Sequence, residues 1–133
     1  MDIVYELRED TDTLRHMQSA MLSDGPIGLK NTHGLIATDE WWEQIAAGTL
    51  PIHEEVGVIS GFWPGQWAAG PAEFELCDAT SRKSRWLCGV EVRAARAAFR
   101  LDRPACVRYV IQELKTAFQG CIQSKVTVSI ALG

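Results

Sequence analysis

The sequence predicts an α+β fold: a small antiparallel, strongly curved β-sheet or partly open barrel of about five to six strands, with two or three short helices packed over it. The first observation behind this is two-residue alternation between His53 and Val92. Phe74 and Leu76 sit between Glu73, Glu75 and Asp78, and Trp86, Cys88 and Val90 sit among Arg85, Leu87 and Glu91, which is the period of half-buried strands. The second is a pair of short runs at helical spacing, each preceded by a cap, ahead of that stretch. The third is size. A chain of 133 residues with 47% hydrophobic content can bury a core without metal or disulfide staples. One domain is expected over 1–133, with a strand and a helical lid in 1–52 and a barrel-like region in 53–133.

Ile3, Tyr5 and Leu7 alternate with Val4, Glu6 and Arg8, which suits a short edge strand. Asp10 and Thr11 then offer an N-cap, and Leu14, Met17 and Met21 follow at spacings of three and four, so a helix is expected from about Thr11 to Leu22, stopped by Gly25-Pro26. Residues 25–37 hold three glycines and no sustained period. They read as a surface loop pinned by Ile27, Leu29, Leu35 and Ile36, with His33 in a turn-like setting as a candidate ligand contact. Thr38 is placed to cap a second helix, with Asp39 and Glu40 in its first turn and Gly48 closing it. Trp41, Trp42 and Ile45 line one side of this helix. Burying one such ring contributes about 2 to 3 kcal/mol, so the helix should dock over the sheet.

Val56, Val58 and Ile59 lead into Gly61-Phe62-Trp63-Pro64-Gly65, where strand chemistry gives way to turn chemistry. The segment from Trp63 to Pro71 then reads as an apolar loop carrying Trp63 and Trp67. The next turn, Asp78 to Ser84, is polar, with Arg82 and Lys83 at its tip. Residues 92–101 suit a short helix with Arg93, Arg96 and Arg100 along one side. Residues 102–120 support two readings. Asp102 as cap, with Cys106, Val107, Val110, Ile111, Leu114 and Phe118, makes a helix; alternation of Val107, Tyr109 and Ile111 makes a strand, and periodicity alone favours the helix. Lys125 to Leu132 is a strand with Val126, Val128 and Ile130 on one face.

Net charge is -4 and unevenly spread: residues 1–81 carry three Lys+Arg against 14 Asp+Glu, and residues 82–133 carry ten against three. In one domain such halves can neutralise each other across the fold. Cys77, Cys88, Cys106 and Cys121 lack C-x-x-C spacing and read as reduced core thiols, with no metal site and no cofactor expected. Asp2 after Met1, with no apolar run behind it, gives no secretory signal. Glycine and proline interrupt the longest uncharged stretch. A cytoplasmic protein without a membrane span is expected.

The combination of Thr32-His33-Gly34-Leu35, Glu40-Trp41-Trp42 with Gly48 and Pro51, Gly57-Val58-Ile59, Glu73-Phe74-Glu75-Leu76, Trp86 and Val107-Arg108-Tyr109-Val110 resembles small uncharacterised bacterial proteins encoded on integron gene cassettes. The resemblance implies no activity. It does imply that Cys106 to about Leu114 is a barrel strand followed by a return along Lys125–Leu132, and on that ground the strand is preferred.

Enzyme motifs are missing: the sequence has no G-x-S-x-G, H-E-x-x-H, G-x-x-x-x-G-K-[ST] or G-x-G-x-x-G. The reading therefore leans against an enzyme, with a small Glu/His site as an alternative: His33 as a base, and carboxylate pairs at Glu54-Glu55 and at Glu73 with Glu75, the second pair placed on one face by alternation. The preferred expectation is a non-enzymatic binding or self-associating module whose aromatic-lined surface meets a small apolar ligand or a protein partner. Its candidate contacts are Trp41, Trp42, Phe62, Trp63, Trp67, Trp86, His33 and Arg85. An OB-like single-strand binder is a further alternative, but the acidic total weighs against nucleic acid. Self-association as a homodimer or higher homo-oligomer is expected through the Trp63–Pro71 segment.

Overall fold

The computed structural model describes residues 1–64, 71–89, 97–118 and 120–133. Strand β1 spans Asp2–Glu6, and a 3-10 turn over Leu7–Glu9 leads to helix α1 at Thr11–Leu22. Helix α2, Asp39–Ala47, precedes β2 (Ile52–Pro64), β3 (Pro71–Cys77), β4 (Lys83–Leu87), β5 (Pro104–Phe118) and β6 (Cys121–Leu132). The strands form one six-stranded antiparallel sheet in the order β1-β6-β5-β2-β3-β4. Because β1 and β4 are its edges, the sheet is open rather than closed into a barrel, and the expected α+β class holds.

The residues form two compact units. The first contains Met1–Tyr5, Glu54–Val107 and Ser129–Gly133. Ile59, Phe74, Leu76, Trp86, Cys88, Phe99, Ala105, Val107, Ile130 and Leu132 are its buried residues. Phe74 and Phe99 meet with ring centroids 5.2 Å apart. Strands β2 and β3 approach so closely at Gly57 that a Cβ there would lie 2.2 Å from the Cys77 carbonyl oxygen, so only glycine fits. The β3–β4 turn is built by one carboxylate: Asp78 Oδ1 accepts from the Thr80 amide at 2.9 Å, the Thr80 hydroxyl at 2.7 Å and the Arg82 amide at 2.9 Å. Ser81 takes the left-handed conformation within it.

The second unit contains Glu6–His53 and Arg108–Val128. Helix α1 starts at Asp10, whose side chain accepts from the Thr13 amide at 3.3 Å. Its other end is completed by a distant cation. Lys115 Nζ, from β5, donates to the carbonyl oxygens of Ala20 at 2.6 Å, Ser23 at 2.6 Å and Gly25 at 3.3 Å, where a helix leaves acceptors unpaired. The 25–37 segment is pinned as expected at Leu29 and Ile36, both buried, but Ile27 is exposed. Leu29 also bridges Leu114, with Lys30 N donating to Glu113 O at 2.8 Å and Lys115 N to Gly28 O at 3.0 Å, so part of the expected loop adds to the sheet. Helix α2 ends at Gly48 in the left-handed conformation, as expected. Thr38 occupies its cap position but donates its hydroxyl backward to Leu35 O at 2.6 Å instead of capping.

Several expectations need correction. Strand β2 runs straight through Gly61-Phe62-Trp63-Pro64, which composition assigned to a turn. Residues 104–118 form a strand, and the helical reading fails. Its buried positions are Ala105, Val107 and Tyr109, then Val110 and Gln112. That change of parity places apolar residues at spacings of three and four, imitating a helix. All four cysteines are free, but only Cys88 is buried in the core; Cys77 and Cys106 are half-buried and Cys121 is exposed. Of the helix expected over 92–101, positions 92–96 lie outside the described residues, and 97–101 are turn and irregular backbone.

Candidate functional site

The register of β2, β3 and β4 sorts the first unit's side chains into rows. One face carries Ile59–Leu76–Ser84 and Phe62–Phe74–Trp86, and the other carries Val58–Cys77–Lys83, Gly61–Glu75–Arg85 and Trp63–Glu73–Leu87. Strict alternation from Ile59 would have put Trp63 with the buried set. An extra residue at Ser60 breaks the register between Ile59 and Gly61, and this bulge turns Gly61 and Trp63 onto the charged face. The Ser60 hydroxyl donates to Glu75 Oε1 at 2.7 Å, which fastens the bulge to β3.

On that face Arg85 lies over the Trp63 ring, its guanidinium carbon 3.8 Å from the ring centre. It also grips Glu73 Oε2 through Nε, at 2.8 Å, and through Nη2. Lys83 Nζ is 3.4 Å from Glu75 Oε1, and Arg82 lies 3.5 Å from Glu55 and 3.6 Å from Asp78. Hydrogen bonding from Ser60, aided by the Lys83 charge, holds the Glu75 carboxyl below its ordinary pKa. Asp78 is lowered likewise, chiefly by the Thr80 hydroxyl and then by the Arg82 amide. Glu73 and Glu75 do share one face, as alternation required. Each is engaged by a cation, so they form an ion-pair ladder and not a pair sharing a proton.

The other expected contacts scatter. Trp41 is fully buried, its Nε1 donating to Gln112 Oε1 at 3.0 Å. Trp42 is half-buried, meets Trp41 edge-on and carries Arg8 3.9 Å above its ring. Trp86 is buried and donates to Ser84 Oγ at 2.8 Å, while Phe62 shares the row of Phe74. His33 lies 2.7 Å from the Thr32 hydroxyl. Among the described candidates two pairs are brought together, Trp41 with Trp42 on helix α2 and Trp63 with Arg85, and only the second pair lies on the charged face of the sheet. Trp63 and Pro64 end β2 and Pro71 begins β3, so they are not loop residues; positions 65–70, Trp67 among them, lie outside the described residues. Sequence reasoning named Glu73 only as half of a carboxylate pair and Lys83 only as a turn residue, although charge alternation across two adjacent strands signalled their pairing with Arg85 and Glu75. It also missed a third ring cluster, in which His53 stacks on Tyr109 at 5.3 Å and Lys125 approaches the same ring at 5.2 Å.

Among the described residues no group of three or more His, Cys, Asp or Glu side chains is placed to hold a metal ion, and no helix is long and apolar enough to cross a membrane. Planar cation, aromatic ring and carboxylate, held in fixed relation on a sheet face, suit recognition of another macromolecule's polar surface.

Comparison with curated proteins returns no match. Comparison with family models overturns the resemblance to integron cassette proteins, because the matching model is that of Immunity protein RhsI2. The same match corrects the functional expectations: an immunity-protein family replaces the small-ligand module, the OB-like single-strand binder and the Glu/His enzyme. Since the match extends over residues 1–133, the whole of the sequence, the chain belongs to the Immunity protein RhsI2 family.

Proposed function

We propose that this protein binds an Rhs toxin and neutralises it by forming a protein–protein complex. The family match over residues 1–133 is the observation that carries the reading. The geometry adds support, since tryptophan and arginine are the residue types most often found at the energetic centres of protein interfaces, and here one of each is already stacked on a half-exposed face. Neutralisation by binding requires no catalytic group on this chain, only a surface that holds the toxin longer than the toxin needs to act.

The test is survival. Rhs toxin domains are expressed singly from an inducible promoter, with or without this protein, and a toxin it relieves is then purified with it. Rescue from one toxin, together with a stable complex on gel filtration, is the expected result. Failure to relieve any Rhs toxin domain, or rescue without a complex, would overturn the reading.

A further inference from the structure

Resting on that reading, we infer that the toxin seats on the outward face of β2, β3 and β4, and that the toxin segment seated there is acidic. The argument begins with which charges reach solvent. In the ladder of Arg82, Lys83 and Arg85 over Glu55, Glu73, Glu75 and Asp78, the carboxylate side chains are 18 to 30% exposed and the cations 52 to 74%. The acids form the floor and the cations form the layer that a partner meets first. The four carboxylates outnumber the three cations, but the cations lie outermost, so the groups a partner meets first are cationic donors, and complementarity selects carboxylates on the partner.

The chemistry of Arg85 points the same way. Its Nε and Nη2 are committed to Glu73, and among the described residues Nη1 has no hydrogen-bond partner. A guanidinium has five N–H donors, so a second carboxylate can be accepted without releasing the first. The Trp63 ring beneath and the Glu73 carboxylate beside it fix the plane of the fork in advance, so little side-chain freedom is lost on binding. Leu87, exposed in the same row as Trp63 and Glu73, supplies an apolar rim. The bulge at Ser60 is what brings Trp63 to this face at all, and bulges of that kind recur where a side chain is re-aimed for use.

The other arginine–tryptophan stack, Arg8 on Trp42, makes a rival. It is a single cation in a stretch where Glu9, Asp39, Glu40 and Glu43 are exposed, and the Trp42 Nε1 is occupied by Ala37 O at 3.2 Å. That surface would select a basic partner, so one experiment separates the two.

The probe is the toxin that the survival assay identifies, titrated calorimetrically with the full chain at several salt concentrations. Combining Arg82→Gln, Lys83→Gln and Arg85→Gln removes the cationic layer without placing like charges against the ladder. The expected result is a loss of affinity of about 30-fold or more, with a flatter salt dependence. Asp39→Asn with Glu43→Gln should leave affinity within about threefold of the parent. Lys83→Gln alone guards against misfolding of the triple variant, and should weaken binding by about fivefold at unchanged thermal midpoint. Unchanged affinity in both the triple and the Lys83 variants would overturn the inference while leaving the immunity reading intact. Loss of binding on the helix α2 side alone would overturn it in favour of a basic partner, and a parent chain that binds no Rhs toxin would overturn both.

Discussion

The two units invest their polar groups in opposite ways. In the helix-bearing unit, beside exposed pairs at Arg15–Asp12 and Lys30–Glu113, the contacts that tie distant segments together are neutral or singly charged and withdrawn from solvent: Trp41 Nε1 on Gln112, both fully buried, and the half-buried Lys115 closing the end of α1. In the unit built on β2, β3 and β4 they are paired charges spread over an outer face, with Trp63 stacked among them. A buried polar pair stabilises mainly because leaving either partner alone is costly, whereas exposed ion pairs contribute a median of only about 0 to 1 kcal/mol each. The first arrangement therefore carries stability, and the second is available to carry recognition at small cost to the fold.

The largest effect should come from breaking the hidden pair. Trp41→Ala removes a fully buried ring and orphans the Gln112 amide. A loss of about 4 kcal/mol is expected in denaturant unfolding, a large share of the roughly 5 to 15 kcal/mol typical of a domain. Trp41→Phe keeps most of the volume and should cost about 2 kcal/mol through the unmade hydrogen bond. Arg85→Gln, by contrast, should change stability by less than about 1 kcal/mol. Equal losses at Trp41 and Arg85 would show that the charged face is structural too.

Much of this contrast was written in the sequence, and the exceptions concern side-chain direction and contacts between distant segments. The spans of α1 and α2, the edge position of β1, the shared face of Glu73 and Glu75, and the β3–β4 turn all follow from caps, alternation and turn chemistry. What could not be read was parity. Gly61, Pro64 and Gly65 make β2 look as though it ends in a turn, the extra residue at Ser60 conceals which face Trp63 takes, and the consecutive burial of Tyr109 and Val110 makes β5 look like a helix. A one-residue slip reverses every side chain beyond it, and no local pattern announces a slip whose partner strand is distant in sequence. The strand reading from Cys106 to about Leu114 rests on a family resemblance that the family match overturns, so the residues themselves do not secure the strand observed at Pro104–Phe118. Lys115 is similar. Nothing in Leu114-Lys115-Thr116 reveals that this ammonium serves a helix that ended some 90 positions earlier.

That lysine gives the middle-sized test of the comparison. Lys115→Met keeps a long apolar stem but withdraws three donors from the carbonyls of Ala20, Ser23 and Gly25. Water can replace part of the loss at this half-buried site, so a cost of about 2 kcal/mol is expected, measured by thermal or urea unfolding. Hydrogen exchange should accelerate first in the last turn of α1. Faster exchange in β3 and β4 at the same time would show that the two units do not divide their stabilising groups as described.

The smallest effect belongs to pH, and it is expected at two carboxylates of the charged face. The Trp41–Gln112 pair has no ionisable group, whereas Glu75 and Asp78 both have lowered pKa values, the first chiefly through the Ser60 hydroxyl and the second chiefly through the Thr80 hydroxyl. A carboxyl depressed in the folded state adds stability that is fully present above its ordinary unfolded value and is lost as the pH falls through the lower folded value. Acid should therefore loosen the Ser60 bulge and the Asp78 turn before it touches the contacts beneath α2. Carboxyl-carbon titration by NMR measures both shifts. Ser60→Ala should raise the Glu75 pKa toward its ordinary value and leave Asp78 where it is, and Thr80→Val should do the reverse. Since both groups are solvated, either variant should move the thermal midpoint at neutral pH only slightly. Ser60→Ala should still weaken toxin binding, because the hydroxyl helps hold the bulge that turns Trp63 outward. Full binding by that variant with the Glu75 shift abolished would mean that backbone register alone sets the aim of Trp63.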